Sequence, residues 1–199
     1  MKRITVYCGS NRGKRPEFAQ TAKQLGQLLA ENNIELVYGG GRLGLMGIVA
    51  DSVLEHGGHV IGVIPEQLMM KEVAHTTISD LRVVADMHER KALMAELASG
   101  FIVLPGGYGT FEEMFEILTW AQLGWHQKPI GLLNCNEYYT NLLNFLRQSV
   151  NDRFMKHEHM DILQVSQDPA ELLQKLKDYQ PNPNLGKLKI QAALKSETR

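Results

Sequence analysis

Short apolar segments alternate with segments of helical periodicity along most of this chain, and the alternation restricts the fold more than any other feature of the sequence. It is typical of an α/β protein whose parallel strands form a sheet with helices on both faces. We predict strands at residues 4–10, 34–41, 59–65, 81–85, 101–110, 129–135 and 162–165, with a glycine loop ending the fifth. We predict helices at residues 16–32, 45–56, 86–99, 111–123, 138–150 and 168–179, and a loop at 66–79.

Length and charge narrow the class of protein further. The 199 residues suit one domain, which we assign to residues 1–179, followed by a loose extension at 180–199. Lys and Arg number 21 against 22 Asp and Glu, which argues against nucleic-acid binding through bulk electrostatics. No apolar run reaches the roughly 18 residues of a membrane span, and the start of the chain lacks the apolar core of a secretory signal. We therefore expect a cytoplasmic protein that binds neither nucleic acid nor membrane.

Cysteine and histidine usage does not indicate a metal site. Cys8 and Cys135 are far apart in the sequence, and we expect both to be reduced and buried. The closest group of metal-ligating residue types is His157, His159 and Asp161, in a polar stretch that is more typical of a solvated turn. We predict neither a metal ion nor another cofactor.

Three predicted strands end in small or glycine-rich segments, and ligands of parallel sheets bind beyond the carboxyl ends of the strands. Residues 8–10, Cys-Gly-Ser, form either an ordinary tight turn or part of a ligand site. Residues 39–44 satisfy the pattern G-x-G-x-x-G, but in a dinucleotide-binding fold this pattern follows the first strand, not the second. Because glycines let a backbone approach an anion at a helix start, a phosphate cradle is the better interpretation.

The third segment, PGGYGTFEE at residues 105–113, is the most informative. Its three closely spaced glycines indicate a backbone shaped around a ligand, and we predict Thr110 as the N-cap of the helix that follows. Glu113 then has the spacing of a capping box, so both a capping role and a catalytic role are open. A carboxylate in the first helical turn is held ionised by the helix dipole, which suits it to stabilise a developing cation.

Two cations lie near the start of the predicted helix at 86–99. Arg90 and Lys91 fall in about its first turn, where the helix dipole disfavours positive charge unless an anion offsets it. An anionic ligand would provide that offset. The alternative is an ordinary surface ion pair of Arg90 with Glu89 or Glu96.

Four motifs together resemble those of the LOG family of cytokinin-activating phosphoribohydrolases: CGS at 8–10, YGGGRLGLMG at 38–47, MHERK at 87–91 and PGGYGTFEE at 105–113. The resemblance runs in order from about residue 2 to residue 179 and includes LTWAQLGWHQKPIGLLN at 118–134. It implies a Rossmann-like doubly wound sheet, a homodimer and no metal. It also implies hydrolysis of the N-glycosidic bond of a cytokinin riboside 5′-monophosphate, or of AMP, to the free base and ribose 5-phosphate. Similar proteins have been labelled lysine decarboxylases, but no pyridoxal-phosphate motif is apparent here.

The resemblance also implies roles for individual residues, with a nucleoside monophosphate as the substrate. Arg90 and Glu113 would be the catalytic pair. Gly106, Gly107, Gly109 and Thr110 would hold the phosphate. The other implied substrate-binding residues are Ser10, Gly40, Gly41, Met87 and Lys91.

Two other functions stay open at this point. A carrier that binds a nucleotide or the molybdenum cofactor without turnover would share the glycine loops, although it would not need MHERK together with Glu113. The hypothesis of an NAD-dependent oxidoreductase rests only on the G-x-G-x-x-G pattern at residues 39–44. The side chains that would contact the base are also open, with Met94, Phe111, Trp120 and Trp125 as candidates that more often belong to a core or an interface.

Overall fold

The computed structural model describes residues 1–69, 74–183 and 185. Seven strands form one sheet in which every neighbouring pair is parallel. Their order across the sheet is β4-β3-β2-β1-β5-β6-β7. The strands are β1 Arg3–Tyr7, β2 Glu35–Tyr38, β3 Val60–Pro65, β4 Asp80–Val84, β5 Gly100–Val103, β6 Ile130–Leu133 and β7 Leu163–Ser166. The predicted α/β class, with a Rossmann-like parallel sheet, is confirmed.

Helices connect the strands and cover both faces of the sheet. They are α1 Pro16–Glu31, α2 Gly44–Glu55, α3 Glu66–Met69, α4 Met87–Leu97, α5 Tyr108–Gln122, α6 Thr140–Asn151, α7 His157–Met160 and α8 Pro169–Asp178, with a short 3-10 helix at Cys135–Glu137. One apolar cluster joins α1, α2 and α8 to one face, and a second joins α4, α5 and α6 to the other. Because the central strands are covered on both sides, their side chains are mostly apolar and buried, and both cysteines are buried in the same core, whereas the edge strand β4 is largely half-buried.

The direction of winding reverses at β1. The chain runs outward from β1 through β2 and β3 to β4, and then returns to place β5 on the other side of β1. The loops that follow β1 and β5 therefore diverge from neighbouring strands, and a crevice opens between them at the carboxyl edge of the sheet. The loops in question contain residues 8–13 and 104–107, so two of the three glycine-rich segments meet there.

The structure differs from the predicted elements in several places, including the short helix α7 and the 3-10 helix, which were not predicted, and β1 and β2, which end three residues earlier than predicted. The predicted loop at 66–79 begins with the short helix α3, while residues 70–73 lie outside the described residues. The helix after β5 begins at Tyr108, three residues earlier than predicted. Most of the extension at 180–199 lies outside the described residues, so its looseness and the domain boundary at 179 stay predictions.

Among the described residues, no helix is both long enough and apolar enough to cross a bilayer. The same part of the chain contains no group of three or more His, Cys, Asp or Glu side chains arranged to hold a metal ion. His157 and Asp161, which the sequence places in a solvated turn, form an exposed pair at 3.6 Å, with His157 as the first residue of the short helix α7 and Asp161 as its C-cap.

Candidate active site

A cavity of about 390 Å³ lies at the crevice between the loops that follow β1 and β5. Residues 9–13 and residues 105–110 line it, together with Arg90, Glu113 and Tyr138. A volume of this size lies within the range of small-molecule sites. The buried Cys8 thiol lies among the lining residues, and burial raises its pKa, so that it stays protonated at neutral pH.

The loop after β5 is held in place by neighbours distant in the sequence. The Gly9 amide donates to the Pro105 carbonyl at 3.0 Å, which joins the loops of β1 and β5. The Tyr138 hydroxyl donates to the Gly106 carbonyl at 2.6 Å. A Cβ at Gly106 would lie 2.1 Å from the Thr110 hydroxyl, so only glycine allows the loop to fold back this closely on α5.

Helix α5 begins against this loop without a side-chain cap. Gly107 is the N-cap, and Thr110 occupies the third helical position, so the prediction of Thr110 as the N-cap is wrong. The early N–H groups of a helix have no partner within the helix, and here they belong to glycine-rich backbone at the cavity. A Cβ at Gly107 or Gly109 would meet nothing within 4 Å, so neither glycine is required by packing inside the protein. Bare backbone facing open space suits an anion that approaches the helix start.

Arg90 enters the cavity from α4, which begins at Met87. The Asp86 side chain caps this helix by accepting from the amides of His88 and Glu89. The buried Arg90 guanidinium donates through Nε to the Val63 carbonyl at 3.1 Å and through Nη2 to the Gly39 carbonyl at 3.3 Å. Val63 lies in the second half of β3 and Gly39 directly follows β2, so the sheet itself orients the guanidinium.

Glu113 lies next to Arg90 in the cavity lining. Its Oε1 lies 3.6 Å from Arg90 Nη1, and both side chains are buried. The alternative of a surface ion pair between Arg90 and Glu89 or Glu96 is therefore wrong. Glu89 instead accepts a hydrogen bond from the Ala85 amide.

The protonation state of Glu113 also differs from the prediction. Glu113 is the sixth residue of α5, beyond the first turn, so neither a capping box nor the helix dipole governs it. Burial raises the pKa of Glu113 to about 7, and the nearby Arg90 opposes this rise without cancelling it. The carboxyl group is thus able to gain or lose a proton near neutral pH.

Four predicted substrate-binding residues lie outside the cavity lining. Lys91 is buried between α4 and α5 and bonds to Glu112 and, at 2.9 Å, to Glu116. Burial acts to lower the pKa of Lys91, but these two carboxylates outweigh it and raise the pKa. Met87 lies one turn before Arg90, with its sulfur 3.8 Å from Arg90 Nη1.

The other two are Gly40 and Gly41, in the second glycine loop. The Gly40 carbonyl accepts from the His75 amide, and Gly41 forms a β-bridge with Ala74. Gly44 has a φ of +67°, and a Cβ there would lie 2.2 Å from the Ser10 backbone. The Leu45 amide at the start of α2 donates to the Gly9 carbonyl. This loop therefore supports the loop after β1 and contributes Gly39 to the cavity lining, and the phosphate cradle expected at residues 39–44 stays a prediction.

The remaining predicted residues come together as expected. Ser10, Gly106, Gly107, Gly109 and Thr110 line the cavity with Arg90 and Glu113. Of the candidates for contact with a base, Met94 lines the cavity. Phe111 packs against Tyr139 with ring centroids 6.2 Å apart, and Trp120 pairs with Trp125 at the same distance.

The lining residues that were not predicted as individual site residues include Arg12, Gly39 and Tyr138. Arg12 and Gly39 each lie within a few residues of a strand end, which is a usable signal. Tyr138 lies 32 residues after the Gly106 that it contacts, and no local pattern indicates that contact.

Comparisons with known proteins identify the family to which this chain belongs. A family model described as "possible lysine decarboxylase" matches residues 46–176. The cytokinin riboside 5′-monophosphate phosphoribohydrolase LOG7 of Arabidopsis thaliana is 50% identical to this chain over 180 residues, which cover 90% of this chain and 83% of the relative. The probable cytokinin riboside 5′-monophosphate phosphoribohydrolase LOGL6 of Oryza sativa is 49% identical, with 90% of this chain and 72% of the relative covered.

Solved structures show the same fold at lower identity. The molybdenum cofactor carrier protein of Chlamydomonas reinhardtii has a TM-score of 0.68 at 21% identity, covering 89% of this chain and 96% of that one. The molybdenum cofactor binding protein of Rippkaea orientalis has a TM-score of 0.66, also at 21% identity, covering 89% and 97%. Similarity at this level establishes the fold alone. The identity with the plant proteins extends over nine-tenths of the chain, and this protein belongs to the LOG family of phosphoribohydrolases.

Proposed function

We propose that this protein hydrolyses the N-glycosidic bond of a cytokinin riboside 5′-monophosphate, or of AMP, and releases the free base and ribose 5-phosphate. The observation that carries the proposal is the buried pair of Arg90 and Glu113, 3.6 Å apart, beside a glycine-lined helix start in one cavity. Membership of a family whose relatives are named as phosphoribohydrolases supports it.

The substrate phosphate fits at the start of α5. The backbone of Gly107 and Gly109 faces open space there, and the N–H groups of a helix start favour an anion. Binding the phosphate at this point directs the ribose toward Glu113, whose side chain lies about one turn further along the helix. Binding energy from the phosphate thereby orients the sugar at the reacting carbon.

Hydrolysis breaks the C1′–N9 bond while a water oxygen bonds to C1′. Positive charge develops on the ribose as the bond lengthens, and ionised Glu113 stabilises it through a ribose hydroxyl or by orienting the water. With a pKa of about 7, Glu113 is also able to accept the proton that the water loses. The departing base takes up a proton, and Arg90 anchors the nucleotide or assists this departure.

The description "possible lysine decarboxylase" is not supported by the cavity. Pyridoxal-phosphate enzymes attach their cofactor to a lysine amine. Within the described part of the chain, the residues that line the cavity include no lysine, and Lys91 is bonded to Glu112 and Glu116 instead.

The test measures release of free base from AMP and from N6-isopentenyl-AMP by chromatography. We expect Glu113→Gln to lower turnover by about 100-fold or more while the protein stays folded. The matched control is Glu112→Gln, which makes the same change one residue earlier in a side chain that bonds to Lys91, and we expect it to stay within about threefold of wild type.

Two results would contradict the proposal. Near wild-type turnover by Glu113→Gln would remove Glu113 from the chemistry. Tight nucleotide binding by the wild-type protein with no base released would favour the carrier function instead.

The assembly and compartment are proposed with the same function. We expect a homodimer, which exposed apolar side chains on α5, α6 and the loop after α6 support: Phe115, Phe145 and Phe154. Sedimentation should therefore show a species of twice the 22.4 kDa chain mass. A cytoplasmic location stays a prediction.

A further inference from the structure

The negative charge of the substrate's phosphate exceeds the positive charge that Arg90 and the start of α5 supply at the cavity, so a further cation is needed. Among the described residues, the charged side chains that line the cavity are Arg12, Arg90 and Glu113. Arg90 and Glu113 face each other, so the positive charge of Arg90 is offset whenever Glu113 is ionised. A phosphate monoester carries about −1.5 to −2 charges at neutral pH, and the α5 start supplies only about half a positive charge.

Arg12 is the cation in the lining that is not committed to another group. In the described part of the chain, its guanidinium has neither a hydrogen bond nor an ion pair. Arg15, on the same loop, donates to the Asn136 carbonyl at 3.3 Å. Lys14 is exposed and does not line the cavity.

The loop that carries Arg12 is fixed on both sides. The Gly9 amide binds the Pro105 carbonyl, and the Gly9 carbonyl accepts from the Leu45 amide. Gly44 packs against the Ser10 backbone so closely that a Cβ would lie 2.2 Å away. Beyond Arg12, Gly13 has a φ of +73° and packs against the Phe18 ring. The backbone at Arg12 is therefore held beside the loop that ends in Gly106 and Gly107.

We infer that Arg12 binds the 5′-phosphate of the substrate and makes this site select nucleotides over nucleosides, an inference that rests on the proposed function. A guanidinium forms charge-assisted, bidentate hydrogen bonds with a phosphate. The α5 backbone and Arg12 contact the phosphate from opposite loops, while Arg90 and Glu113 are left to the sugar and the base.

The first test is calorimetric titration with ribose 5-phosphate and with ribose, using wild type, Arg12→Gln and Lys14→Gln. Both variants lose one positive charge from the same loop, but only the first loses it from the cavity. We expect Arg12→Gln to raise the Kd of ribose 5-phosphate by about tenfold or more, and Lys14→Gln to leave it within about twofold. An unchanged Kd for Arg12→Gln, an equal loss in both variants, or no binding of ribose 5-phosphate by wild type would each overturn the inference.

The second test compares release of adenine from AMP and from adenosine. We expect Arg12→Gln to lower kcat/KM for AMP by about tenfold, chiefly through KM, and to leave kcat/KM for adenosine within about twofold. Equal losses on both substrates would overturn the role in selection. A wild-type protein that releases no adenine would overturn the proposed function, while the titration still decides whether Arg12 binds phosphate.

Discussion

At the scale of single residues, the turn after β6 stands out for its backbone conformation. Asn136 and Glu137 both have positive φ, 51° and 60°, although neither is glycine. Asparagine tolerates this region better than most residues, whereas glutamate does not. The turn brings Tyr138 onto the Gly106 carbonyl and Tyr139 onto the Leu104 carbonyl. Backbone strain is thus located where it positions the loop of the candidate site.

Relieving this strain should stabilise the protein. We expect Glu137→Gly to raise the free energy of unfolding by about 1 kcal/mol, because glycine adopts positive φ without the clash of a Cβ. The measurement is urea-induced unfolding. Glu137→Ala is the matched control, because it removes the same carboxylate but keeps the Cβ, and we expect no such gain. A glycine variant no more stable than the alanine variant would show that position 137 is unstrained.

Single residues also show where sequence reasoning stops. The pairing of Arg90 with Glu113 was expected only from the family resemblance, because 23 positions separate them and no local pattern connects them. The pKa of Glu113 depends on burial, which the sequence does not reveal. The assignment of Glu113 to the first helical turn failed because α5 begins at a glycine N-cap with no capping side chain.

At the scale of elements, Arg90 depends on a glycine in another segment. Arg90 projects from α4, and a Cβ on Gly39, just after β2, would lie 2.0 Å from its Nη2. The absence of a side chain at Gly39 therefore creates the space for the guanidinium, whose Nη2 also donates to the Gly39 carbonyl. Gly39 is a positioning residue for Arg90.

Gly39→Ala should therefore lower activity by displacing the Arg90 guanidinium. We expect it to lower kcat/KM for AMP by about 100-fold, since a displacement of about 1 Å in a catalytic group has that order of effect. The measurement is a double-mutant cycle with Arg90→Ala. In the Arg90→Ala background, Gly39→Ala should cause no further loss. Additive losses would mean that Gly39 affects the site independently of Arg90.

The secondary-structure elements were predicted better than the roles of the loops between them. All seven strands follow from apolar segments of the right length, and the glycine loops follow from composition. The two larger glycine loops look alike in sequence but differ in role. The loop at 106–109 faces the cavity, whereas Gly44 packs against Ser10 from another loop. That difference arises from tertiary contacts, which spacing does not encode.

At the scale of the whole molecule, the buried Glu113 should make stability depend on pH. Its pKa is about 7 in the folded protein against an ordinary value of 4.5. Between these values the folded state binds more protons than the unfolded state, so stability falls as pH rises from about 4.5 to about 7. The fall due to this residue is roughly 3 kcal/mol, from about 1.4 kcal/mol per pKa unit.

Glu113→Gln should remove this contribution. Relative to wild type, the variant should become more stable by roughly 3 kcal/mol as pH is raised from about 4.5 to about 8. The measurement is urea-induced unfolding at several pH values, with Glu112→Gln expected to retain the wild-type decrease. Parallel pH profiles for wild type and Glu113→Gln would mean that Glu113 titrates in the folded protein as it does in the unfolded chain.

Because the direction of winding reverses at β1, the residues that line the cavity come from two consecutive lengths of the chain, one up to β4 and one after it. Residues up to β4 supply Arg12 and Gly39, whereas Arg90, Glu113 and Tyr138 follow β4. The first length supplies Arg12 and the second supplies the start of α5 together with Glu113, so neither length contains the whole site. Two separately expressed fragments, divided at Ala85, would each lack turnover, and recovery on mixing would report reassembly of β1 against β5.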